Sequence, residues 1–178
     1  MLRSAQNYTV DASLPTHTIY MPKKVPDGVK LPILVWGEGG CAANGLAFNG
    51  MLTNWASHGF LILASGPPRG NGSTTSKYMT DAITWISSKA GSGLYAAADP
   101  TRISAAGMSC GGVEAYDMNA NDKVSFIGIF NSGLLRNTTD IEKIKKPVFF
   151  FLGGPSDIAY VNVGSSSRRA NNPTSAPC

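Results

Sequence analysis

Histidine and cysteine, the side chains that most often bind transition metals, are scarce in this 178-residue sequence, which has 2 histidines and 3 cysteines. Cys41, Cys110 and Cys178 form no C-x-x-C pair, and they lie far along the chain from His17 and His58. This spacing argues against a zinc site. We therefore expect no bound metal, and no motif in the sequence indicates a cofactor.

Long apolar runs are also missing, since none approaches the ~20 residues that a membrane-spanning helix needs. Residues 1–7 lack the apolar stretch of a signal peptide. The net charge is +4, but the basic residues are scattered apart from Lys143, Lys145 and Lys146. Nucleic-acid binding would require clustered basic residues with interleaved aromatics, so we expect a solvated basic surface instead.

What the sequence does contain is a regular alternation of short apolar runs and helical periodicities. Apolar residues at helical spacing predict helices over residues 48–55 and 78–86 and a third from Gly112. Strands are predicted at residues 16–21, 31–36, 60–64, 103–106, 124–130 and 147–152. This alternation predicts an α/β domain with a mostly parallel sheet and helices on both faces. We expect it to occupy residues 1–160, with a disordered tail at 161–178.

The sequence Gly107-Met108-Ser109-Cys110-Gly111 connects a predicted strand to a predicted helix. This is the context of a G-x-S-x-G nucleophile elbow. The turn is so sharp that a Cβ at position 107 or 111 is expected to strike the neighbouring strand or helix. The elbow would strain Ser109, expose its Oγ, and point a helix N-terminus at developing negative charge. The alternative is an ordinary small-residue turn in which Ser109 is only a linker.

Two other predicted strands end in polar or turn-forming residues. Glu38 to Cys41 follow one strand, and Asp157 follows the last. Ligand sites of parallel α/β sheets lie beyond the carboxyl ends of the strands, so these residues and Ser109 should converge at one edge. Asp157 has a simpler explanation as well, because Gly-Pro-Ser-Asp is common turn chemistry.

Taken in series, these motifs resemble the α/β-hydrolases, in particular the cutinase-like polyester hydrolases and dienelactone-hydrolase relatives, including secreted fungal members. The resemblance extends over residues 31–160 and is carried by residues 33–39, 56–64, 99–112 and 146–157. It implies an α/β-hydrolase fold with Ser109 as nucleophile and Asp157 as the acid that orients a histidine. The backbone N–H groups of Cys110 and Glu38 would form the oxyanion hole, with Gly39 as the alternative to Glu38.

The resemblance has further implications for the same edge. The Glu38 carboxylate should point to solvent or to a loop partner, because only its backbone N–H is needed. The alternative is a direct acid–base role for this carboxylate. Cys41 and Cys110 each follow one of the two motifs, so a disulfide between them is expected. The substrate would be a small or polymeric carboxylic ester and the location extracellular, which the sequons at Asn7, Asn71 and Asn137 favour.

The sequence departs from this family at the catalytic base. The family's histidine follows the acid, but no histidine follows Asp157. His58 precedes a strand and belongs at the wrong edge, and His17 begins an early strand, so neither is expected to act as the base. The resemblance thus predicts a hydrolase truncated after the acid, and a serine ester hydrolase with impaired activity. The alternative is a catalytically dead hydrolase-fold protein, either a binding module or a non-functional product. The sequence does not indicate an oligomeric state.

Overall fold

The computed structural model describes residues 8–133 and 143–157. Within these ranges six strands form one sheet in the order β1-β3-β2-β4-β5-β6. The predicted tail at 161–178 lies outside the described residues. The strands are β1 (His17–Tyr20), β2 (Leu31–Gly37), β3 (Leu61–Ser65), β4 (Ala98–Met108), β5 (Val124–Phe130) and β6 (Val148–Phe151).

The sheet is parallel except at one edge. β2 pairs in parallel with β3 and β4, and the parallel pairing continues through β5 to β6. β1 instead pairs antiparallel with β3, and the chain passes from β1 to β2 through a turn without a crossover helix. The central strands β2 and β3 are nearly continuous apolar runs because both of their faces are buried. The predicted α/β class with a mostly parallel sheet is confirmed.

Three α-helices of the described ranges cover the sheet: α1 (Asn49–Ser57), α2 (Ser76–Lys89) and α3 (Cys110–Asp117). α1 packs with Leu34 and Trp36 on one face, whereas α2 and α3 pack with Ile33 and Val35 on the other. Alternate residues of β2 therefore lie in separate cores, as the two-residue period of a strand requires. No helix in the described ranges is long and apolar enough to cross a membrane.

The α1 face is only partly covered, because α1 packs over β2 and β3. Over β4, β5 and β6 this face forms an apolar groove of about 420 Å³, with Ser104, Ala106 and Gly128 in its lining. Its aromatic neighbours remain accessible to solvent, and Phe149 and Phe151 of β6 are 52% and 50% exposed. The sheet is thus well buried at β2 and β3 and much more exposed at β6.

Candidate active site

Ser109 lies in a sharp turn between the end of β4 and the start of α3. Its φ is 51° and its ψ is −114°, a backbone conformation that residues other than glycine rarely adopt. The turn is tied to β5, since the Ser109 N–H donates to the Phe130 carbonyl at 2.9 Å. α3 begins at Cys110, two residues earlier than predicted, so the helix N-terminus lies directly at Ser109. The predicted strand–turn–helix geometry is present.

Glycines allow the close packing on which this turn depends. A Cβ at Gly107 would strike the backbone of Gly111 in α3, and a Cβ at Gly111 would strike the backbone of Gly37 at the end of β2. The sequence prediction for positions 107 and 111 is therefore confirmed. The result is that α3 approaches both β4 and β2 at backbone distance, which brings the loop after β2 beside the elbow.

The two predicted oxyanion donors lie on either side of this contact. The Gly111 N–H donates to the Glu38 carbonyl at 3.1 Å, so the peptides of the β2 loop and of α3 are joined directly. Cys110 occupies the first turn of α3, where backbone N–H groups have no acceptor inside the helix. The strand ends at Glu38 and Ser109 therefore converge as predicted, while the roles of Glu38 and Cys110 as oxyanion donors stay a prediction.

A disulfide joins the same two segments. Cys41 and Cys110 are bridged, with their Cα atoms 5.1 Å apart, which confirms the expected pairing. Cys41 is also held from its other side, because its carbonyl accepts a hydrogen bond from the Thr74 N–H at 2.7 Å. The loop after β2 is therefore fixed both to α3 and to the polar segment that precedes α2.

The side chain of Glu38 corrects the sequence analysis, which expected it to point to solvent or to a loop partner. It is fully buried, with 0% of its surface exposed. Oε2 accepts a hydrogen bond from the Trp36 indole Nε1–H at 3.1 Å, and Oε1 has no partner. Burial raises the pKa of Glu38 to about 8. The prediction was wrong because Glu38, the first residue after β2, directs its side chain to Trp36, which belongs to the buried α1 core.

Asp157 lies beyond the carboxyl end of β6, at the same edge of the sheet as Ser109. Because β5 lies between β4 and β6, the strands that lead to Ser109 and to Asp157 are roughly 10 Å apart. The Asp157 carboxylate accepts a hydrogen bond from the Gly153 N–H at 3.2 Å, and Asn131 Oδ1 also accepts from that group at 2.9 Å. The expected edge is correct, and the role of Asp157 as the acid stays a prediction.

Neither histidine is placed to serve Ser109. His17 is buried in β1, three strand positions from β4, and its ring nitrogens lie 3.0 Å from Thr16 Oγ1 and from the Tyr78 carbonyl. Burial lowers the pKa of His17 to about 4. His58 is exposed at the end of α1, at the amino edge of the sheet, where its Nδ1 lies 2.8 Å from the Asn54 carbonyl.

Sequence reasoning missed three side chains that support the elbow. Ser132 Oγ donates to the Ser109 carbonyl at 2.6 Å, and Thr74 Oγ1 donates to Glu114 Oε1 at 2.8 Å. Glu114 is buried in α3, and burial raises its pKa. These contacts span 23 and 40 residues of sequence, and no local motif marks them.

A scan of the chain against protein-family models finds no match, and a search of curated proteins finds none either. Any functional conclusion must therefore come from the residues themselves. Within the described ranges, no group of three or more His, Cys, Asp or Glu side chains is arranged to bind a metal ion.

Proposed function

We propose that the chain is a serine hydrolase of the α/β-hydrolase type that acts on carboxylic esters, with Ser109 as its nucleophile. The observation that carries the proposal is the conformation of Ser109, which lies at positive φ between β4 and the N-terminus of α3. Strained backbone of this kind persists only where its surroundings enforce it, and it clusters at functional sites. Here Gly107, Gly111 and the Phe130 carbonyl provide that enforcement.

In this proposal Ser109 Oγ attacks the ester carbonyl carbon and transfers its proton to a base. The carbonyl oxygen becomes an alkoxide, which accepts hydrogen bonds from the N–H groups of Cys110 and Glu38. The intermediate collapses as the base returns that proton to the leaving oxygen, so a neutral alcohol departs. Water then attacks the acyl–serine ester, which releases the carboxylic acid and regenerates the Ser109 hydroxyl. Two preorganised donors of this type contribute about 3 kcal/mol each to transition-state stabilisation. Asp157 would orient the base.

The proposed location of the protein is extracellular. The Cys41–Cys110 bridge supports this location, because disulfides persist in oxidising compartments.

Neither histidine of the chain is placed to act as the base that the proposed mechanism needs. The two ring nitrogens of His17 are engaged and His58 lies at the opposite edge, so neither accepts the Ser109 proton. A serine without a base is a poor nucleophile. Oxyanion stabilisation and binding alone leave roughly 10³–10⁴-fold over water when a triad member is removed. The lack of a histidine base near Ser109 favours a second candidate function, in which a hydrolase-fold protein binds esters without hydrolysing them.

Labelling with a fluorophosphonate probe tests the nucleophile. Slow, stoichiometric labelling at Ser109 is expected, with the modified peptide identified by mass spectrometry. Ser109→Ala should abolish labelling, whereas the matched control Ser125→Ala, at an exposed position in β5, should leave it unchanged. Labelling that persists in Ser109→Ala would contradict the assignment of the nucleophile.

Chemical rescue separates the two candidate functions. Free imidazole should accelerate labelling of the wild-type chain if an oxyanion site is formed and only the base is missing. The acceleration should be smaller in Asp157→Asn, because the amide cannot stabilise an imidazolium. A binding protein without an oxyanion site would show no rescue at any imidazole concentration.

A further inference from the structure

The Glu38 carboxyl is an unusual group to find beneath a proposed oxyanion loop. It is fully buried, and it accepts a hydrogen bond from the indole N–H of Trp36. The Trp36 ring in turn packs among other aromatic rings, with centroid distances of 5.4 to 5.6 Å to Phe48, Trp55 and Phe130. One oxygen has this single partner and the other has none. An ionised carboxylate with only one hydrogen bond in such surroundings is strongly disfavoured, whereas a neutral carboxyl is tolerated far better.

Within residues 8–133 and 143–157, no positively charged side chain compensates a charge on Glu38. Tyr20 of β1 is the titratable neighbour whose charge would interact with Glu38, and Tyr8 lies beyond it with ring centroids 6.5 Å apart. The Tyr20 hydroxyl donates to the Gly45 carbonyl at 2.6 Å, and burial raises the Tyr20 pKa, so it stays neutral at any pH of interest. Burial also raises the pKa of Glu38 to about 8, so Glu38 is neutral at pH 7.

The backbone of the same residue connects the loop to the elbow. The Glu38 carbonyl accepts from the Gly111 N–H and, at 3.2 Å, from the Cys41 N–H, and its own N–H is one of the two proposed oxyanion donors. A charged side chain would gain hydration only by leaving the aromatic core. That movement would displace the residue 38 peptide and weaken its bond to α3.

We propose that Glu38 is a positioning residue: its uncharged carboxyl fixes the loop of residues 37–41 against α3, and its ionisation releases this loop. The consequence for Ser109 reactivity rests on the proposed function, because it assumes that the residue 38 peptide faces the reacting ester. The consequence for the loop itself does not.

The first test compares the unfolding equilibria of the wild-type chain and Glu38→Gln as a function of pH. Gln keeps an acceptor for the Trp36 indole and cannot ionise. The ordinary pKa of a glutamate is 4.5, and the pKa of Glu38 in the folded chain is about 8. Between these two pH values the folded wild-type chain retains a proton on Glu38 that the unfolded chain has lost. Its stability relative to Glu38→Gln should therefore fall by about tenfold in the folding equilibrium constant per pH unit, and level off above pH 8.

Asp122→Asn, which changes an exposed carboxyl, is the control and should show no such pH-dependent gap. Superimposable pH profiles for the wild-type chain and Glu38→Gln would overturn the proposal. If Glu38→Gln does not fold, amide hydrogen exchange on the wild-type chain tests the role of Glu38 instead. Protection of the Gly111 amide, corrected for intrinsic rates, should drop through pH 8 while amides of β3 keep theirs, and uniform protection would overturn the proposal.

Fluorophosphonate labelling then relates the loop to Ser109. The wild-type rate should fall at least tenfold, relative to Glu38→Gln, as pH rises from 7 to 9. A constant ratio between the two chains would refute the positioning role. Absence of labelling in both chains would instead refute the proposed function, and the unfolding and exchange measurements would still decide the role of Glu38.

Discussion

The proposed site has two sides, named here by their proposed roles: the nucleophile side (residues 37–42 and 107–112) and the acid side (residues 151–157). The two sides are supported very differently. The nucleophile side is joined by a disulfide, by backbone contacts between glycines, and by the Ser132 hydroxyl. The acid side follows a four-residue edge strand with exposed aromatic side chains. Rigid support is thus concentrated on the side whose peptides are the oxyanion donors of the proposed function, and preorganised donors are what acyl transfer depends on most.

The largest difference between the two sides should come from removing the disulfide. The Cys41–Cys110 bridge closes a loop with a sequence separation of 69 residues. Chain-entropy arguments give it about 4 kcal/mol. Cys41→Ala/Cys110→Ala should therefore lower the free energy of unfolding by about that amount in urea denaturation. A loss below about 1 kcal/mol would mean that the bridge contributes little and that the hydrogen bonds alone fix the nucleophile side.

A smaller but sharper comparison uses one glycine from each side. Gly111→Ala forces a methyl group against the backbone of Gly37. No rotamer change can relieve this clash, because the atoms that it meets are backbone atoms, so we expect the free energy of unfolding to fall by about 3 kcal/mol. Gly154→Ala on the acid side meets no atom within 4 Å. It should change stability by less than about 0.5 kcal/mol. Equal thermal shifts in the two variants would contradict the asymmetry.

The smallest effect is expected at Asp157 itself. Asp157→Asn retains an oxygen that can accept from the Gly153 N–H, and the residue is only partly buried. Its free energy of unfolding, measured by urea denaturation, should stay within about 0.5 kcal/mol of the wild-type value. A loss of more than about 2 kcal/mol would show that the acid side is as firmly built as the nucleophile side.

Much of this architecture could be predicted from the sequence, because its signals are local. Each buried strand is an apolar run, and the elbow has glycines at fixed positions around Ser109. The disulfide was expected because Cys41 and Cys110 follow motifs at the same sheet edge. The antiparallel pairing of β1 was not predicted, since alternating strands and helices suggested parallel units only.

The environment of individual side chains could not be predicted in the same way. The burial of Glu38 depends on how α1 packs over Trp36, and the contact of Ser132 with Ser109 depends on the parallel pairing of β5 with β4. Both are properties of the assembled sheet. Motif reasoning placed Ser109 correctly in a strand–turn–helix elbow but did not reveal which side chains support that turn.

The strand order has a consequence for biosynthesis. In the part of the chain that the structure describes, all pairings among β1, β2, β3, β4 and β5 lie within residues 9–130. β6 pairs there with β5, which precedes it in the chain. Chains emerge from the ribosome N-terminus first, at about 5–20 residues per second. The elbow and its disulfide therefore need no residue of β6, and β6 can add to the edge of β5 after the rest of the sheet has formed.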